Sequence, residues 1–356
     1  MDVFEHISAN IPIEWQHYDA IDSTNLAALR YVRGVHDTRY KVQSQKVFEC
    51  DDSLLSSSKN ESDCSLRLII SADEQTQGRG RLERQWVSKH NQGIYVSFVC
   101  TIAREFFERN GTWISTVAGL SARDAVHDLM GVDVQLKWPN DLYVDDCKLG
   151  GILCESVNSH NANVVSVVIG IGINSVSSPN LDALHGDSLT AGSLHAPLQN
   201  VDLSNVNASQ TSSSSVAYSA ISLAQCVDAD RWSTIYPNQL HAFHQALIAR
   251  IACNIQAQLS GFTVHNIRQQ AIEHSATLGR MVYVQCADGR QLCGYARDIA
   301  YDASLEVEPE EVSEGAPEET LAQEETSNEK SALRHSGAST IFVSVGDVTH
   351  ARLARK

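Results

Sequence analysis

The stretch from Val164 to Gly172 is apolar almost throughout, and it constrains the fold of this chain more than any other segment. An apolar run without polar alternation is typical of a central strand that is covered on both faces. Such a strand needs further strands beside it and helices above and below it. The sequence supplies candidates for both, so it predicts a mixed α/β fold around a buried sheet.

Helical and β-like patterns on either side of that run complete the predicted fold. Apolar residues recur at helical spacing from Ile114 to Leu129 and predict a helix with one apolar stripe. A second long helix is predicted over residues 238–259. The other predicted strands of the sheet are residues 68–70, 94–100, 134–138 and 151–154.

After Gly279 the pattern changes to that of a β-hairpin. Residues 281–286 and 291–299 flank Asp288-Gly289, a dipeptide typical of tight turns. With further strands predicted at 304–307 and 340–345, these segments indicate a small β-barrel. We therefore expect two domains, residues 1–277 and residues 278–356.

Three polar, low-complexity stretches interrupt this pattern, near residues 34–65, 175–225 and 306–338. Such a composition buries too little apolar surface to offset the entropy lost on ordering. We therefore expect surface insertions that are mobile.

The formal net charge of −16 argues against broad binding to a nucleic-acid backbone, although residues 306–330, with ten Glu and one Lys, account for −9 of it. The nine cysteines form no CxxC pair, so they indicate neither a disulfide framework nor a structural zinc site. The acidic start differs from a basic targeting peptide, and no apolar run approaches the ~20 residues that span a bilayer. We expect a soluble, cytoplasmic protein without membrane association.

A glycine-spaced arginine segment, Gly78-Arg79-Gly80-Arg81, follows a predicted strand and a polar turn. Glycine lets the backbone approach a ligand closely, and arginine supplies a permanently charged, planar set of donors for phosphate or carboxylate. A solvated basic loop explains these residues equally well. The segment is not a Walker A motif, because no Gly-Lys-Ser/Thr follows.

The block from Lys137 to Leu142 reads Lys-Trp-Pro-Asn-Asp-Leu and ends another predicted strand. Proline fixes the local path, so Asn140 and Asp141 lie in a defined turn where their oxygens could hold Mg²⁺. An ordinary hairpin turn is the commoner explanation of these residues alone. Lys148, ahead of a predicted turn at Gly150-Gly151, favours a ligand site, because an ammonium group can stabilise developing negative charge.

Two further segments have both an ordinary and a functional interpretation. Ser23, Thr24 and Asn25 precede an Ala/Leu-rich helix, where a helix N-cap is the simpler explanation. Residues 170–174, Gly-Ile-Gly-Ile-Asn, end the apolar strand and fit either a loosened strand end or a ligand site.

Taken together and in this order, these segments resemble the biotin protein ligase family, which includes holocarboxylase synthetases and the bacterial biotin operon repressor. The resemblance runs from about Trp15 to Leu353 outside the insertions, and it is weak at Gly346-Asp347-Val348, which is similar to that family's closing motif. It implies a class II synthetase-like mixed sheet flanked by helices, with a small SH3-like C-terminal β-barrel.

The resemblance also implies the activity of an ATP-dependent, AMP-forming biotin–[acetyl-CoA-carboxylase] ligase. ATP converts the biotin carboxylate into biotinyl-5′-adenylate, and a lysine of a biotin carboxyl carrier domain then attacks this anhydride. The implied substrates and partners are biotin, ATP with Mg²⁺, and the carrier domain, and a homodimer is left open.

The resemblance assigns roles to individual residues. Catalysis falls to Lys148, Arg79 and Arg81. Biotin binding falls to Ser23, Thr24, Asn25, Gln75, Gly78, Gly80, Lys148, Gly150 and Gly151. ATP binding falls to Arg79, Arg81, Trp86, Lys137, Asn140, Asp141 and Asn174, with Asn140 and Asp141 as Mg²⁺ ligands.

Two departures from the family pattern matter. The loop continues as Leu82-Glu83-Arg84 where the family commonly has Arg-Gly-Arg, and a carboxylate at Glu83 would weaken retention of an anionic adenylate or reshape the loop. Only 21 residues precede Asp22, too few for a helix-turn-helix domain, so we expect no DNA binding.

Two other functions stay open on the sequence. Lipoate and octanoate protein ligases share the fold and the acyl-transfer chemistry, although the arginine loop and the Lys-Trp-Pro-Asn-Asp block favour biotin. A non-catalytic scaffold that binds biotin or a nucleotide, and uses its insertions for protein contacts, is the second alternative.

Overall fold

A computed structural model of the chain describes residues 13–35, 37–48, 64–81, 84–159, 161–179, 219–286, 291–309, 340–344 and 348–353. The chain divides into two compact units, Met1–Ala276 and Thr277–Lys356. Each unit is built on its own β-sheet.

The sheet of the first unit has eight strands. In chain order they are β1 (Ile13–Ile21), β2 (Ser44–Phe48), β3 (Ser65–Gln75), β4 (Gly93–Ala103), β5 (Gln135–Lys137), β6 (Asp141–Val144), β7 (Cys147–Asn158) and β8 (Val164–Asn174). Their order across the sheet is β2-β1-β3-β4-β8-β7-β6-β5. Only the β1–β3 pair is parallel among the strand pairs described, so the sheet is mixed.

The apolar run from Val164 to Gly172 is part of β8, and β8 lies between β4 and β7 in the middle of this sheet. It pairs with β4 along its whole length, from Gly93 opposite Asn174 to Ala103 opposite Val164. Val168 and Ile169, which point to opposite faces, are both fully buried. The prediction of a central strand covered on both faces is confirmed.

Seven α-helices accompany this sheet in the described part of the first unit. They are α1 (Thr24–Val32), α2 (Arg104–Asn110), α3 (Ile114–Met130), α4 (Leu223–Cys226), α5 (Ala229–Ser233), α6 (Leu240–Ser260) and α7 (Val264–Glu273). The predicted helices near 114–129 and 238–259 are confirmed as α3 and α6. Gly131 ends α3 in the left-handed conformation (φ 61°), which glycine adopts without strain.

The helices cover the two faces of the sheet. On one face, Ala28 and Leu29 of α1 pack in a cluster with Leu68 and Ile70 of β3. The alternate residues of β3 point to the other face, where Ser71 lines a cavity together with residues of α6. Burial on both sides explains the consecutive apolar residues Leu68, Ile69 and Ile70 of β3.

Part of the first predicted insertion is a strand. Residues 44–48 form β2, which pairs antiparallel with β1 from His17 opposite Ser44 to Ile13 opposite Phe48. The prediction that 34–65 is all insertion was therefore wrong for these residues, because an edge strand gains its ladder hydrogen bonds without needing an apolar sequence. Residues 36, 49–63, 180–218 and 310–338 of the predicted insertions lie outside the described residues.

The second unit contains a five-stranded antiparallel sheet in the order β12-β11-β10-β9-β13. The strands are β9 (Met281–Cys286), β10 (Gln291–Ile299), β11 (Leu305–Pro309), β12 (Ile341–Val343) and β13 (Val348–Leu353). Val282, Val284, Ala296, Leu305 and Val307 form its buried side. The predicted hairpin is confirmed as the β9–β10 pair, while Asp288-Gly289 and Gly346-Asp347 lie outside the described residues.

Across the described residues, no helix combines the length and the apolar character needed to cross a membrane.

Candidate active site

Two glycines on neighbouring strands form a floor without side chains. Gly151 of β7 lies opposite Gly172 of β8 in the ladder. The indole of Trp86 packs on both, since a Cβ placed on Gly172 would lie 2.6 Å from Trp86 Cε2 and one on Gly151 would lie 3.4 Å from Cζ3. The first distance is shorter than real Cβ contacts, so an alanine at 172 would displace the ring.

Trp86 Nε1 is buried and has no hydrogen-bond partner among the described residues. An unpaired buried donor costs roughly 1–3 kcal/mol, and such groups concentrate at functional sites. Together with the glycine floor, this donor makes the β7–β8 region a candidate ligand site.

An ion pair lies at the edge of this floor. Lys148 Nζ donates to Asp141 Oδ1 at 2.7 Å and lies 5.8 Å from the centroid of the Trp86 ring. Asp141 is the cross-strand partner of Gly151, which brings the carboxylate to the floor. The lysine ammonium is thereby held beside both a carboxylate and an aromatic face.

Gly150 and Gly151 lie within β7, and the predicted turn at these residues was wrong. A Cβ on Gly150 would lie 2.5 Å from the carbonyl oxygen of Gly172. The two glycines therefore allow close strand packing and the approach of Trp86, and neither of these uses is visible in a local sequence pattern.

The arginine segment folds back on itself. The Trp86 amide donates to the Gly78 carbonyl at 2.9 Å, and the Gly80 amide donates to the Arg84 carbonyl at 2.7 Å. A Cβ on Gly78 would lie 2.3 Å from the Trp86 carbonyl oxygen. Glycine is therefore required at 78, whereas Leu82 and Glu83 lie outside the described residues.

The two arginines of this segment reach different parts of the sheet, Arg81 the turn between β5 and β6 and Arg79 strand β7. Arg81 Nη1 donates to Asn140 Oδ1 at 3.4 Å, and Arg79 Nη1 donates to Glu155 Oε1 at 3.3 Å. Burial lowers the pKa of Arg81 from its ordinary value, against the opposing effect of the Asp141 carboxylate, but a guanidinium stays charged in proteins. Arg81, Asp141 and Lys148 thus place two cations and one anion around the glycine floor.

A buried polar network adjoins the floor at the start of α1. The amide and Oγ1 of Thr24 both donate to Gln75 Oε1, at 2.9 and 3.1 Å. Gln75 Nε2 in turn donates to Ser88 Oγ at 2.9 Å. These bonds hold α1 against the end of β3.

Asn25 is the second centre of this network. Ser97 Oγ donates to Asn25 Oδ1 at 2.6 Å, and Asn25 Nδ2 donates to Glu155 Oε2 at 2.9 Å. A Cβ on Gly170 would lie 2.1 Å from Asn25 Oδ1, so this glycine makes room for the amide. Because Glu155 accepts from both Asn25 and Arg79, it joins the buried network to the arginine segment.

Ser23 occupies the N-cap position of α1, but its side chain makes no capping hydrogen bond. The simple N-cap explanation is therefore wrong for the Ser23 hydroxyl, which is buried with the rest of its residue. Asp22 instead accepts the Ser23 amide at 2.7 Å and two Arg30 guanidinium bonds at 2.8 Å each. These contacts fix the start of the helix.

Asn174 holds backbone near the floor. Its Nδ2 donates to the carbonyls of Lys148 and Ile221, at 3.4 and 3.0 Å, and the Lys148 amide donates to Ser219. Ser175, which follows, is buried. The prediction of a surface insertion over 175–225 was therefore wrong at its two ends. Ser175 is buried, and Ser219 and Ile221 accept hydrogen bonds from residues of the site.

Lys137 is nearly fully buried, with 3% exposure, and its Nζ donates to Tyr143 Oη at 3.3 Å. The structure therefore brings Arg79, Arg81, Trp86, Asn140, Asp141, Lys148 and Gly151 around the glycine floor, with Thr24, Asn25 and Gln75 in the adjoining network. Lys137 donates to a tyrosine hydroxyl, and Asn174 donates to backbone carbonyls.

The sequence analysis missed three residues of this arrangement, namely Ser88, Ser97 and Glu155. Ser97 is a small polar side chain between Val96 and Phe98 in β4, and that interruption was the available signal. Glu155 follows the apolar residues of β7 and carried a similar signal. Both are polar side chains at strand positions where burial requires a partner, whereas Ser88 lies outside the named strands and gave no such signal.

The oxygens of Asn140 and Asp141 do not by themselves fit a resident Mg²⁺ ion. Asp141 Oδ1 is bonded to Lys148, and Asn140 Oδ1 accepts from Arg81. Two cations beside two oxygen ligands oppose the addition of a third cation. Mg²⁺ in proteins usually binds one or two carboxylates together with substrate phosphates. Asn140 and Asp141 alone supply no phosphate oxygens.

Residues 43–174 match the model of the Biotin/lipoate A/B protein ligase family. This segment includes the arginine loop, the ion pair and the glycine floor. The family resemblance inferred from the motifs is confirmed.

Part of the chain is similar in sequence to known biotin ligases. It is 32% identical over 112 residues to the bifunctional ligase/repressor BirA of Bacillus subtilis, and this match covers 32% of this chain and 34% of that protein. It is 34% identical over 115 residues to the biotin–[acetyl-CoA-carboxylase] ligase of Mycobacterium tuberculosis, which covers 32% and 41% of the two proteins. The matches thus span between a third and about two fifths of these relatives' own lengths.

The fold is similar to that of a solved biotin protein ligase from Aquifex aeolicus in complex with biotin and ATP. The TM-score is 0.55 at 18% sequence identity, and the match covers 96% of this chain and 99% of that one. At this identity the similarity concerns the fold alone, and it supports the mixed sheet with its flanking helices.

Proposed function

We propose that the chain is a biotin protein ligase, which forms biotinyl-5′-AMP from biotin and ATP and transfers biotin to a lysine of a biotin carboxyl carrier domain. One observation carries the proposal. Two cationic side chains, Arg81 and Lys148, lie beside the flat glycine floor on which Trp86 packs. This combination suits a ligand with an anionic centre and a flat ring.

In the first step, a carboxylate oxygen of biotin attacks the α-phosphorus of ATP. The bond from that phosphorus to the bridging oxygen breaks, and pyrophosphate leaves. Two anions must approach each other, so fixed cations lower the barrier by screening their repulsion and stabilising charge on the phosphoryl oxygens. We assign this role to Lys148, Arg79 and Arg81.

In the second step, the amine of the carrier lysine attacks the acyl carbon of the adenylate. The bond to the phosphate oxygen breaks, AMP leaves, and the amine gives up a proton as the amide forms. The chain supplies no covalent nucleophile in this scheme. Its contribution is orientation of the anhydride and stabilisation of the leaving phosphate.

Biotin is assigned to the polar network at the start of α1. Ser23, Thr24, Asn25 and Gln75 would meet the polar ring of biotin, with the backbone at Gly78, Gly80, Gly150 and Gly151 close to the ligand. The dense buried hydrogen bonding of Thr24, Asn25 and Gln75 supports this, since preorganised polar groups favour specificity.

The nucleotide is assigned to Trp86, Arg79, Arg81, Lys137, Asn140, Asp141 and Asn174. We place Mg²⁺ with the ATP phosphates, so that Asn140 and Asp141 would meet it only as part of the nucleotide complex, and no step above depends on it. That the protein acts in the cytoplasm and does not bind DNA stays a prediction. Homodimer formation is left open.

Pyrophosphate release tests the proposal. The protein is incubated with ATP and Mg²⁺ plus either biotin or lipoate, and then with a biotin carboxyl carrier domain or a lipoyl domain. Biotin-dependent release followed by mass gain on the carrier lysine is expected. Lipoyl transfer without biotin transfer would replace the proposal with a lipoate ligase, and binding without release would indicate a scaffold.

A further inference from the structure

A second cluster of chemically active side chains lies away from the glycine floor. His17 of β1, Asp73 of β3 and His241 of α6 each offer one ligand atom, and these three atoms lie within 4.8 Å of one another. His17 Nε2 is 3.4 Å from Asp73 Oδ1, and the His17 and His241 rings meet edge-on with centroids 5.4 Å apart. The proposed ligase reaction uses none of the three.

Three separate elements bring these residues together. β1 and β3 are parallel neighbours with His17 opposite Ser71, so Asp73 lies two residues further along the same face. α6 contributes His241 to that face. The three side chains line a cavity of about 20 Å³, which is enough for one water-sized sphere.

Outer contacts orient the candidate ligands. Ser71 Oγ lies 3.0 Å from His17 Nδ1 and accepts from Trp15 Nε1 at 2.8 Å. A hydroxyl oxygen can also accept from a histidine nitrogen, so Ser71 can hold His17 at Nδ1 when Nε2, the nitrogen that faces Asp73, binds a metal. Metal-binding histidines characteristically use their second nitrogen in this way. Gln245 Nε2 lies 2.7 Å from His241 Nε2 and contacts the second ring.

His244 lines the same cavity and contacts Ser175 Oγ at 2.8 Å. The cavity thus combines the carboxylate of Asp73 with the imidazole nitrogens of three histidines.

We propose that His17, Asp73 and His241 bind a divalent transition-metal ion of the Zn²⁺ type. Two imidazoles and one carboxylate are ligands that Zn²⁺ takes in tetrahedral sites, with water in the fourth position, and the cavity provides space for that water. Mg²⁺ and Ca²⁺ prefer oxygen-only ligands, so the two imidazoles select against them.

Zinc titration of the whole chain, measured by calorimetry in the absence of biotin and ATP, tests this proposal. Wild-type protein is expected to bind one Zn²⁺. Asp73→Asn and His241→Gln should each weaken this binding by more than the ~10–100-fold that is typical when a hydrogen-bond partner of a metal ligand is removed. His265→Gln, on the exposed side of α7, is the matched control and should bind as wild type does. Equal binding by all four proteins, or no binding by folded wild type, overturns the site.

Cobalt separates this site from adventitious binding by the cysteines. Co²⁺ held by imidazole and carboxylate gives visible d–d bands without thiolate-to-metal charge transfer, and His17→Gln should abolish the bands. Charge-transfer absorption that persists in His17→Gln would place the metal on thiols and refute the proposal. Circular dichroism and thermal unfolding of each variant confirm that it is folded, and because no step uses biotin or ATP, the result is independent of the ligase proposal.

Discussion

Lys148 Nζ lies 2.7 Å from Asp141 Oδ1, and this pair connects β6 to β7 at the edge of the glycine floor. Both side chains keep part of their surface in contact with solvent, 32% for Lys148 and 19% for Asp141. Ion pairs of this kind contribute little stability, typically about 0–1 kcal/mol. The pair is therefore better understood as a device that positions an ammonium group than as a stabilising contact.

Lys148→Ala should lower biotin-dependent pyrophosphate release by about 10²–10³-fold, the usual cost of removing one stabilising group for developing charge. The free energy of unfolding should change by no more than about 1 kcal/mol. Steady-state release and urea unfolding measure the two effects. Lys41→Ala, which removes an exposed lysine outside the site, is the control. Near-wild-type release by Lys148→Ala would remove Lys148 from its assigned role.

Gly172→Ala should displace Trp86, because the new methyl group would lie 2.6 Å from Cε2 of the indole. Overpacking of this kind costs about 1–3 kcal/mol. Urea unfolding measures the loss, and Gly172→Ala should cost less in a Trp86→Ala background than in the wild type, because the ring it meets is then absent. Gly80→Ala is the steric control, since its Cβ would meet nothing closer than 3.5 Å. Equal destabilisation by Gly80→Ala, or the same cost of Gly172→Ala in both backgrounds, would contradict the packing described.

Asp22→Asn should destabilise the fold by about 1–3 kcal/mol, because it removes charge-assisted bonds to Arg30 that fix the start of α1. Burial would raise the pKa of Asp22, but the bonds from Arg30 and from the Ser23 amide lower it below 3.8 overall. The contribution is therefore fully present above the unfolded pKa and is lost as pH falls through the folded one. Urea unfolding of both proteins across acidic pH should show their difference shrinking below about pH 3.8. A constant difference down to lower pH would mean that ionisation of Asp22 is not its source.

The strongest sequence patterns predicted the scaffold, and long-range partners decided the rest. β8, α3 and α6 followed from apolar runs and helical spacing, which are local properties. Gly150-Gly151 looked like a turn because the groups that approach those glycines, the Gly172 carbonyl and the Trp86 ring, lie far away in the chain. The contact between Lys137 and Tyr143 also depends on the register of β5 against β6, which composition does not encode. β2 was missed because an edge strand is stabilised by pairing with β1, and its own sequence is polar.

Glu155 offers the sharpest test of the arginine segment, because it holds Arg79 at 3.3 Å while also accepting from Asn25. In the proposed ligase, an anionic adenylate must compete with this carboxylate for the Arg79 guanidinium. Glu155→Gln keeps an acceptor for Asn25 but removes the charge, so biotinyl-adenylate should dissociate up to about fivefold more slowly, as expected for a partly exposed ion pair worth less than about 1 kcal/mol.

Arg79→Ala should have the opposite effect and release the adenylate faster. A chase of labelled adenylate with unlabelled biotin and ATP gives both dissociation rates. If Glu155→Gln accelerates release to the extent that Arg79→Ala does, Glu155 is needed to aim the guanidinium at the ligand. The competition between carboxylate and adenylate would then be excluded.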